Sequence, residues 1–388
     1  MCFSKKALIQ ARLTYFRIFK YLIVSIQILN AKQIMVSMAK MEISTNVACR
    51  VQCDFCPQEL HIEQYSNKNN LNDISYGQPT QMSFDTFKKC LSTIPKSVRI
   101  SFCGYTEPWL NPDCSKMVLH AYENGYTIEV FTTLVGMNQE DVEILKQVKY
   151  KGFHLHLPDE KNIAKIAVNS DYLNVFRKIL SDIPDVTGMS MGNLHQKIRE
   201  VLGKDILPDV MINRASNLKN VKPTPKKFGP LACRRDSSLD LLDIVDENVL
   251  LPNGDVALCG MDYGLQHIIG NLLQVRYDSL HKTNSYMEFA RKQKSHDENI
   301  LCRFCDEAIP VSDLTERQNL KIQIMNNPNS DVTKSLIKLY EENLERFPDI
   351  EGFNYFYDKL TSNQLSLDDI RKLIQQSTEY KSIHHPLN

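Results

Sequence analysis

The chain has no net charge to offer: 46 Lys+Arg are balanced by 46 Asp+Glu over 388 residues. Without a global field, nucleic acid is not an expected partner. A membrane-spanning run is also missing. The apolar stretch Tyr21–Leu29 is too short to cross a bilayer and has no small-residue cleavage site of a secretory signal. Acidic residues are absent from the first forty positions, which carry seven Lys or Arg. That bias is compatible with a basic amphipathic helix in peripheral contact with an anionic membrane through residues 1–40. The simpler readings, preferred here, are a helix docked on the main fold, or residues upstream of a true start at Met38 or Met41.

Cysteine is plentiful. Eleven are present, at positions 2, 49, 53, 56, 90, 103, 114, 233, 259, 302 and 305. In a chain long enough for two or three domains, clustered cysteines without a secretory signal point to metal ligation in a reducing, cytoplasmic setting. The tightest group is Cys49-Arg50-Val51-Gln52-Cys53-Asp54-Phe55-Cys56, directly after the alternating run Met41–Val47, which reads as a short strand. Such a loop can wrap three thiolates around one corner of a cluster and leave a fourth iron without a protein ligand. Soft thiolates select iron–sulfur clusters, zinc or copper(I), so spacing alone leaves the metal open. A zinc knuckle or three unrelated buried cysteines are the plain alternatives.

From residue 41 to about 225, strand-like runs alternate with helical ones. The strands are Met41–Val47, Val98–Cys103, Thr127–Thr132, Gly152–Leu157, Val186–Met191 and Val210–Asn213. Helical stretches are Phe84–Ile94, Cys114–Glu123, Gln139–Val148, Tyr172–Ile183 and Leu194–Leu202. The alternation predicts an α/β fold, a parallel sheet with helices outside it. Glu63–Gln81, rich in Asn, Ser, Gln and Gly, reads as a loop able to fold over the site. Cys103-Gly104-Tyr105-Thr106-Glu107-Pro108 closes the second strand, where such folds present ligand-binding groups, although a simple turn looks the same. Alternation in Phe153-His154-Leu155-His156-Leu157 puts both histidines on one face, aimed inward, as candidate substrate ligands or bases. Arg214, after the sixth strand, can hold a carboxylate or form a surface ion pair. Asn253-Gly254 between apolar runs is a strong hairpin signal. The hairpin carries Cys259, which joins Cys233 and the pair Cys302-Arg303-Phe304-Cys305 as four thiolates, enough for one cluster or one zinc.

The Cys49–Cys53–Cys56 motif after a first strand resembles the radical S-adenosylmethionine (SAM) enzymes. The resemblance covers residues 41 to about 310 and implies a partial (β/α)6 barrel whose open iron chelates SAM. An electron from that [4Fe-4S] cluster, supplied by a donor such as flavodoxin or ferredoxin, cleaves SAM to a 5′-deoxyadenosyl radical that takes hydrogen from substrate. It places Phe55, Gly104, Thr106, Glu107, Thr132, Thr133 and Arg214 at the cofactor and His154 and His156 at the chemistry. Thr106 stands where the family usually has a second glycine, and His156 where it commonly has serine. Gly270-Asn271-Leu272 and the hairpin glycine are similar to the Twitch pattern, the shortened SPASM form, implying an auxiliary [4Fe-4S] cluster on Cys233, Cys259, Cys302 and Cys305 that accepts the second electron of an oxidation. The implied domains are a basic helical segment (1–40), the radical SAM core (41–225), a Twitch domain of β-hairpin plus helix (226–312) and a C-terminal helical module (313–388). The last resembles an uncharacterised glycan-associated family, around Leu339–Asp349 and Gly352–Phe356. Only 48 residues precede Cys49, and they do not read as a peptide-clamping winged helix. A small sugar, nucleotide-sugar or aminocyclitol substrate is therefore expected. A peptide-modifying maturase and a zinc-binding scaffold or interaction protein are the alternatives.

Overall fold

The computed structural model describes residues 39–206, 208–209, 212–218, 221–233, 247–312, 330–344, 348, 350–377 and 379–381. The expected basic segment, up to residue 38, lies outside the described residues.

The chain opens with β1 (Lys40–Ile43) and β2 (Asn46–Val47), then α1 (Gln58–Asn69), β3 (Thr80–Gln81) and α2 (Phe84–Leu91). There follow β4 (Arg99–Phe102), α3 (Cys114–Glu123), β5 (Ile128–Thr132), α4 (Gln139–Leu145) and β6 (Tyr150–His156). Next come α5 (Ser170–Asp182), β7 (Val186–Met189) and α6 (Gln196–Leu202). The cysteine-bearing half holds β8 (Leu231–Cys233), β9 (Glu247–Leu250), β10 (Asp255–Ala257), β11 (Ile268–Asn271), α7 (Asn284–Lys294) and β12 (Ala308–Pro310). The tail is α8 (Ser330–Leu344), α9 (Ile350–Thr361) and α10 (Leu367–Gln376), with its own core around Leu336, Tyr340, Phe353 and Ile370.

One sheet organises the molecule, in the order β11-β10-β9-β1-β4-β5-β6-β7. The pairs from β9 across to β7 are parallel; β10 and β11 are antiparallel additions. The architecture is thus mixed α/β with a parallel sheet and helices, as the alternation predicts. Its helices begin where local chemistry starts them. Ser83 accepts from Thr86 N, Asn138 and Asp141 form a capping box, and Asn169 accepts from Tyr172 N.

The sheet is two-faced because strand side chains alternate. Met41, Ile43, Ile100, Phe102, Val130, Phe153 and Leu155 join the main core, each worth roughly 1.5–3 kcal/mol over exposure. The opposite positions, Lys40, Glu42, Arg99, Ser101, Glu129 and His154, carry charge and hydroxyls. There Lys40 pairs with Glu42 at 3.2 Å and with Glu247 at 3.4 Å, and Arg99 with Glu129 at 3.1 Å.

Three expectations are corrected. Met41–Val47 is two strands, because Ser44 N bonds Leu250 O and the chain then turns to pair Asn46–Val47 with β3. The first seven residues of the expected loop, 63–69, are helix: α1 runs through Asn69 and buries His61 and Tyr65. Of the strand expected at 210–213, Ile212 and Asn213 are irregular, and 210–211 lie outside the described residues. Among the described residues the sixth parallel strand is β9, on the other side of β1.

Candidate active site

The thiol loop begins where β2 ends. Ala48 at φ 77° and Gln52 at φ 58° take left-handed backbone conformations, so eight residues can wrap around a small volume. Cys49 is buried, and Cys53 and Cys56 are half-buried. Gln58, at the start of α1, clamps the loop. Its Oε1 accepts from Cys49 N at 3.2 Å, and its Nε2 donates to Cys56 Sγ at 3.2 Å and to Tyr105 O. Glu107 N donates to Cys49 Sγ at 3.4 Å, and Cys53 Sγ donates to Ala164 O at 3.1 Å. Asp159 fixes that last contact by accepting from Ile163 N and Ala164 N. Burial pushes the Cys49 thiol up to about 12 and Cys53 higher still, with the neighbouring sulfurs adding to both. Alone, such thiols are unreactive; they ionise on coordinating a metal.

Glu107 is 4% exposed and surrounded by donors. Thr132 Oγ1 donates to Oε1 at 2.6 Å, Thr133 N and Oγ1 donate to Oε2 at 2.6 and 2.7 Å, and Trp109 N to Oε1 at 3.2 Å. The structure therefore brings Glu107, Thr132 and Thr133 together as one unit. Burial raises the Glu107 pKa, although all four bonds oppose the rise. Thr106 turns the other way, donating to Asn46 O at 3.0 Å and accepting from Asn46 Nδ2 at 3.2 Å. Gly104, at φ 90°, faces Ser44 and Val249, where a Cβ would stand only 3.2 Å from either.

Phe55 stacks on His156, with centroids 4.7 Å apart and planes within 9°. Burial, then the Arg214 charge, lowers the His156 pKa to about 4. His156 Nε2 and Arg214 Nε are both buried with no hydrogen bond among the described residues. Arg214 begins three consecutive left-handed residues, Arg214, Ala215 and Ser216 at φ 51°, 55° and 63°. Asn213 Oδ1 accepting from Ser216 N, and Ser216 Oγ donating to Phe304 O, hold this turn. His154 stands apart from that group: its Nδ1 is 2.6 Å from Thr187 Oγ1, its Nε2 3.9 Å from Glu129 Oε1, and its ring stacks on Phe131. Gly152 leaves the space its imidazole fills.

The second thiol set is assembled by pairing β8 with β12, which sets Cys233 opposite Ala308, and by the 3₁₀ turn Leu301–Phe304. Burial raises the thiols of Cys259, Cys302 and Cys305, and mutual repulsion within the set of four adds to the rise at Cys259 and Cys302. Between Cys302 and Cys305 lies Arg303, 0% exposed. Its guanidinium donates to the carbonyls of Lys227, Gly229, Lys292, Ser295 and Glu298, pinning the surrounding turns to one another. Gln58, Asp159 and Arg303 are not visible as site residues in the sequence, because no motif or spacing marks the backbone groups and sulfurs that they contact in the fold. Cys90 and Cys114 are fully buried in the core, and none of the ten described cysteines is in a disulfide.

No group of three or more His, Cys, Asp or Glu among the described residues is arranged to hold a single metal ion. The donor chemistry of the two sets, three and four soft thiols, fits iron–sulfur ligation. The orphaned Arg214 and His156 nitrogens fit an anionic or polar ligand beside the first set. No helix of the described residues is long and apolar enough to cross a membrane.

No family model matches the chain. Among solved structures it is similar to BtrN in complex with AdoMet and 2-DOIA, at 16% identity, covering 66% of this chain and 87% of that one, with a TM-score of 0.44. It is similar to anSMEcpe with bound AdoMet, at 12% identity over 69% of this chain and 84% of that one, TM-score 0.42. A third is Streptococcus suis SuiB bound to precursor peptide SuiA, at 13% identity over 69% of each chain, TM-score 0.38.

Proposed function

We propose that this chain is a radical SAM oxidoreductase of a reducing, cytoplasmic compartment, with Cys49, Cys53 and Cys56 holding a [4Fe-4S] cluster and Cys233, Cys259, Cys302 and Cys305 an auxiliary one. The observation that carries the reading is the thiol loop, Cys49, Cys53 and Cys56 within eight residues after β2, with buried nitrogens of Arg214 and His156 that lack a partner among the described residues. When bound, the cluster supplies one electron for reductive cleavage of SAM, which starts hydrogen abstraction from substrate.

The chain's own residues bind and orient. Gln58 and Glu107 N fix two of the sulfurs, and Asp159 fixes the loop that meets the third. Arg214 offers a guanidinium edge to the SAM carboxylate, and Phe55 with His156 forms a flat wall against which an adenine can lie. Glu107 with Thr132 and Thr133 makes a rigid acceptor and hydroxyl group for the amino and ribose ends, and Gly104 and Thr106 hold the strand end that carries it. Cys233, Cys259, Cys302 and Cys305 would hold an auxiliary cluster through four thiolates, and that group would supply electron-transfer chemistry for the second electron of a substrate oxidation. The charged second face of the sheet, with His154 between Thr187 and Glu129, supports a small polar substrate. The tail's resemblance to a glycan-associated module favours a sugar, nucleotide-sugar or aminocyclitol. An external one-electron donor of the flavodoxin or ferredoxin class completes the cycle.

Anaerobic reconstitution followed by iron and product analysis tests this. Wild type is expected to bind about eight irons, two cubes of four, and to form 5′-deoxyadenosine from SAM. The variant with Ala at 49, 53 and 56 is expected to keep about half the iron and lose all SAM cleavage. Retained 5′-deoxyadenosine formation in that variant sinks the assignment, and one or two zincs in place of iron supports a scaffold.

A further inference from the structure

The two thiol sets meet across a cluster of rings. Tyr105 and Tyr263 lie with centroids 4.8 Å apart at 63°, and His61 is 4.5 Å from Tyr105 and 6.1 Å from Tyr263. All three are buried, at 3% exposure or less. One hydroxyl points each way from this cluster. Tyr105 Oη donates to the Cys259 carbonyl at 2.7 Å, while Tyr263 Oη stands 3.3 Å from Cys56 Sγ. Tyr263 belongs to the auxiliary loop. Asp262 N bonds Cys259 O at 3.0 Å, and the buried Asp262 carboxylate accepts from Gln266 N and His267 N at 2.9 and 2.8 Å. A rigid turn that starts at an auxiliary cysteine thus delivers a phenol to a sulfur of the first set.

The protonation state of Cys56 decides what that contact does. As a free thiol, Cys56 can donate its proton to the phenol oxygen. As a metal-bound thiolate it has none, and Tyr263, whose hydroxyl keeps its proton near neutral pH, becomes the donor. Gln58 Nε2, 3.2 Å away, is a second donor to the same sulfur. Donors to cluster sulfurs stabilise the more negative, reduced state and raise its potential.

Resting on the function proposed above, we infer that Tyr263 is a positioning residue that tunes the first cluster. Its hydroxyl, held out by the auxiliary loop, donates to Cys56 Sγ and favours one-electron reduction of the group there. The electron comes from the external donor, the cluster is reduced by one unit, and the phenol keeps its proton, so no atom is exchanged. The auxiliary loop thereby sets how readily the first site accepts the electron that begins turnover.

The test is an EPR-monitored redox titration of the full-length, anaerobically reconstituted chain. Tyr263→Phe keeps the ring and removes the hydroxyl. At a poise where half of the wild-type first cluster is reduced, its reduced-to-oxidised ratio is expected to fall about tenfold, which for a one-electron couple is about 59 mV. Tyr105→Phe, whose hydroxyl meets a carbonyl and no sulfur, is expected to leave that midpoint in place. Site-specific 3-fluorotyrosine at 263, a stronger donor in the same shape, is expected to move it upward. Equal midpoints in wild type and Tyr263→Phe at full iron content overturn the inference, as does an unmoved midpoint in the fluorotyrosine protein. Failure of the wild-type Cys49, Cys53 and Cys56 to bind iron at all overturns the functional reading instead.

Discussion

At the scale of single residues, the fold holds three histidines below their ordinary pKa, His61 fully buried and His156 and His267 half-buried. Burial lowers His61 to about 4, and burial with the Arg214 and Lys292 charges does the same for His156 and His267 respectively. The unfolded chain takes up these protons near pH 6.5, whereas the folded chain does not until about 4. Stability present above pH 6.5 is therefore lost as pH falls toward 4, at no more than ~1.4 kcal/mol per pH unit for each histidine. Urea unfolding between pH 7 and 5 is expected to show that slope, and His61→Phe to reduce it by about one proton. Glu129 acts lower down. Burial raises it, but the His154 contact and the Arg99 and Lys40 charges outweigh burial and hold it at about 2, so its contribution is lost between about 4.5 and 2. The group Cys49, Cys53 and Cys56 stands out in the sequence because its spacing is local. Arg303 does not: inside Cys302-Arg303-Phe304-Cys305 it looks like a spacer, and only the folded chain surrounds it with carbonyls.

At the scale of elements, the loop after β5 holds Glu107 in place. Thr132 and Thr133 clasp the carboxylate, and Gly136, at φ 95°, lets the same loop close against the Trp109 backbone. A Cβ at Gly136 would strike the Trp109 carbonyl oxygen. Gly136→Ala is expected to cost about 2 kcal/mol or more, from strain and steric overlap together. Gly125→Ala makes the comparison, since its φ is 81° but nothing lies within 4 Å of its Cβ. Thermal unfolding of both should show the Gly136 variant as clearly the worse; equal losses mean that backbone strain alone is at work. Elements with strong periodic signals were legible. The helix expected over Cys114–Glu123 is observed with the same bounds. Helix α1 was not, because Gln58–Asn69 is polar on most sides and is held by Gln58, His61 and Tyr65 packing against distant residues. Strand β9 was missed as a sheet member because its neighbour, β1, is some two hundred residues earlier in the chain.

At the scale of the whole molecule, β1 lies between β4 and β9, with Lys40 opposite both Arg99 and Glu247. The part of the chain that carries Cys259, Cys302 and Cys305 is therefore hydrogen-bonded to the first strand of the sheet. A fragment ending at residue 225 leaves one edge of β1 with unpaired backbone groups and Lys40 without one of its two carboxylates. Such a fragment is expected to aggregate or to remain partly unfolded, as read by size-exclusion chromatography and circular dichroism. A soluble, monomeric fragment with native helix content would show that the β1–β9 pairing is dispensable.

The same pairing has a consequence during synthesis. The thiol loop follows β1 and is made well before its supporting strand β9, since Ser44 N finds its partner only when Leu250 arrives. At ~5–20 residues per second, that interval is on the order of ten seconds or more. For that time the first three cysteines are exposed to oxidants and stray zinc on an unfinished scaffold. If the loop holds the cluster proposed above, the strand pairing that supports it is complete only once residue 250 has been made.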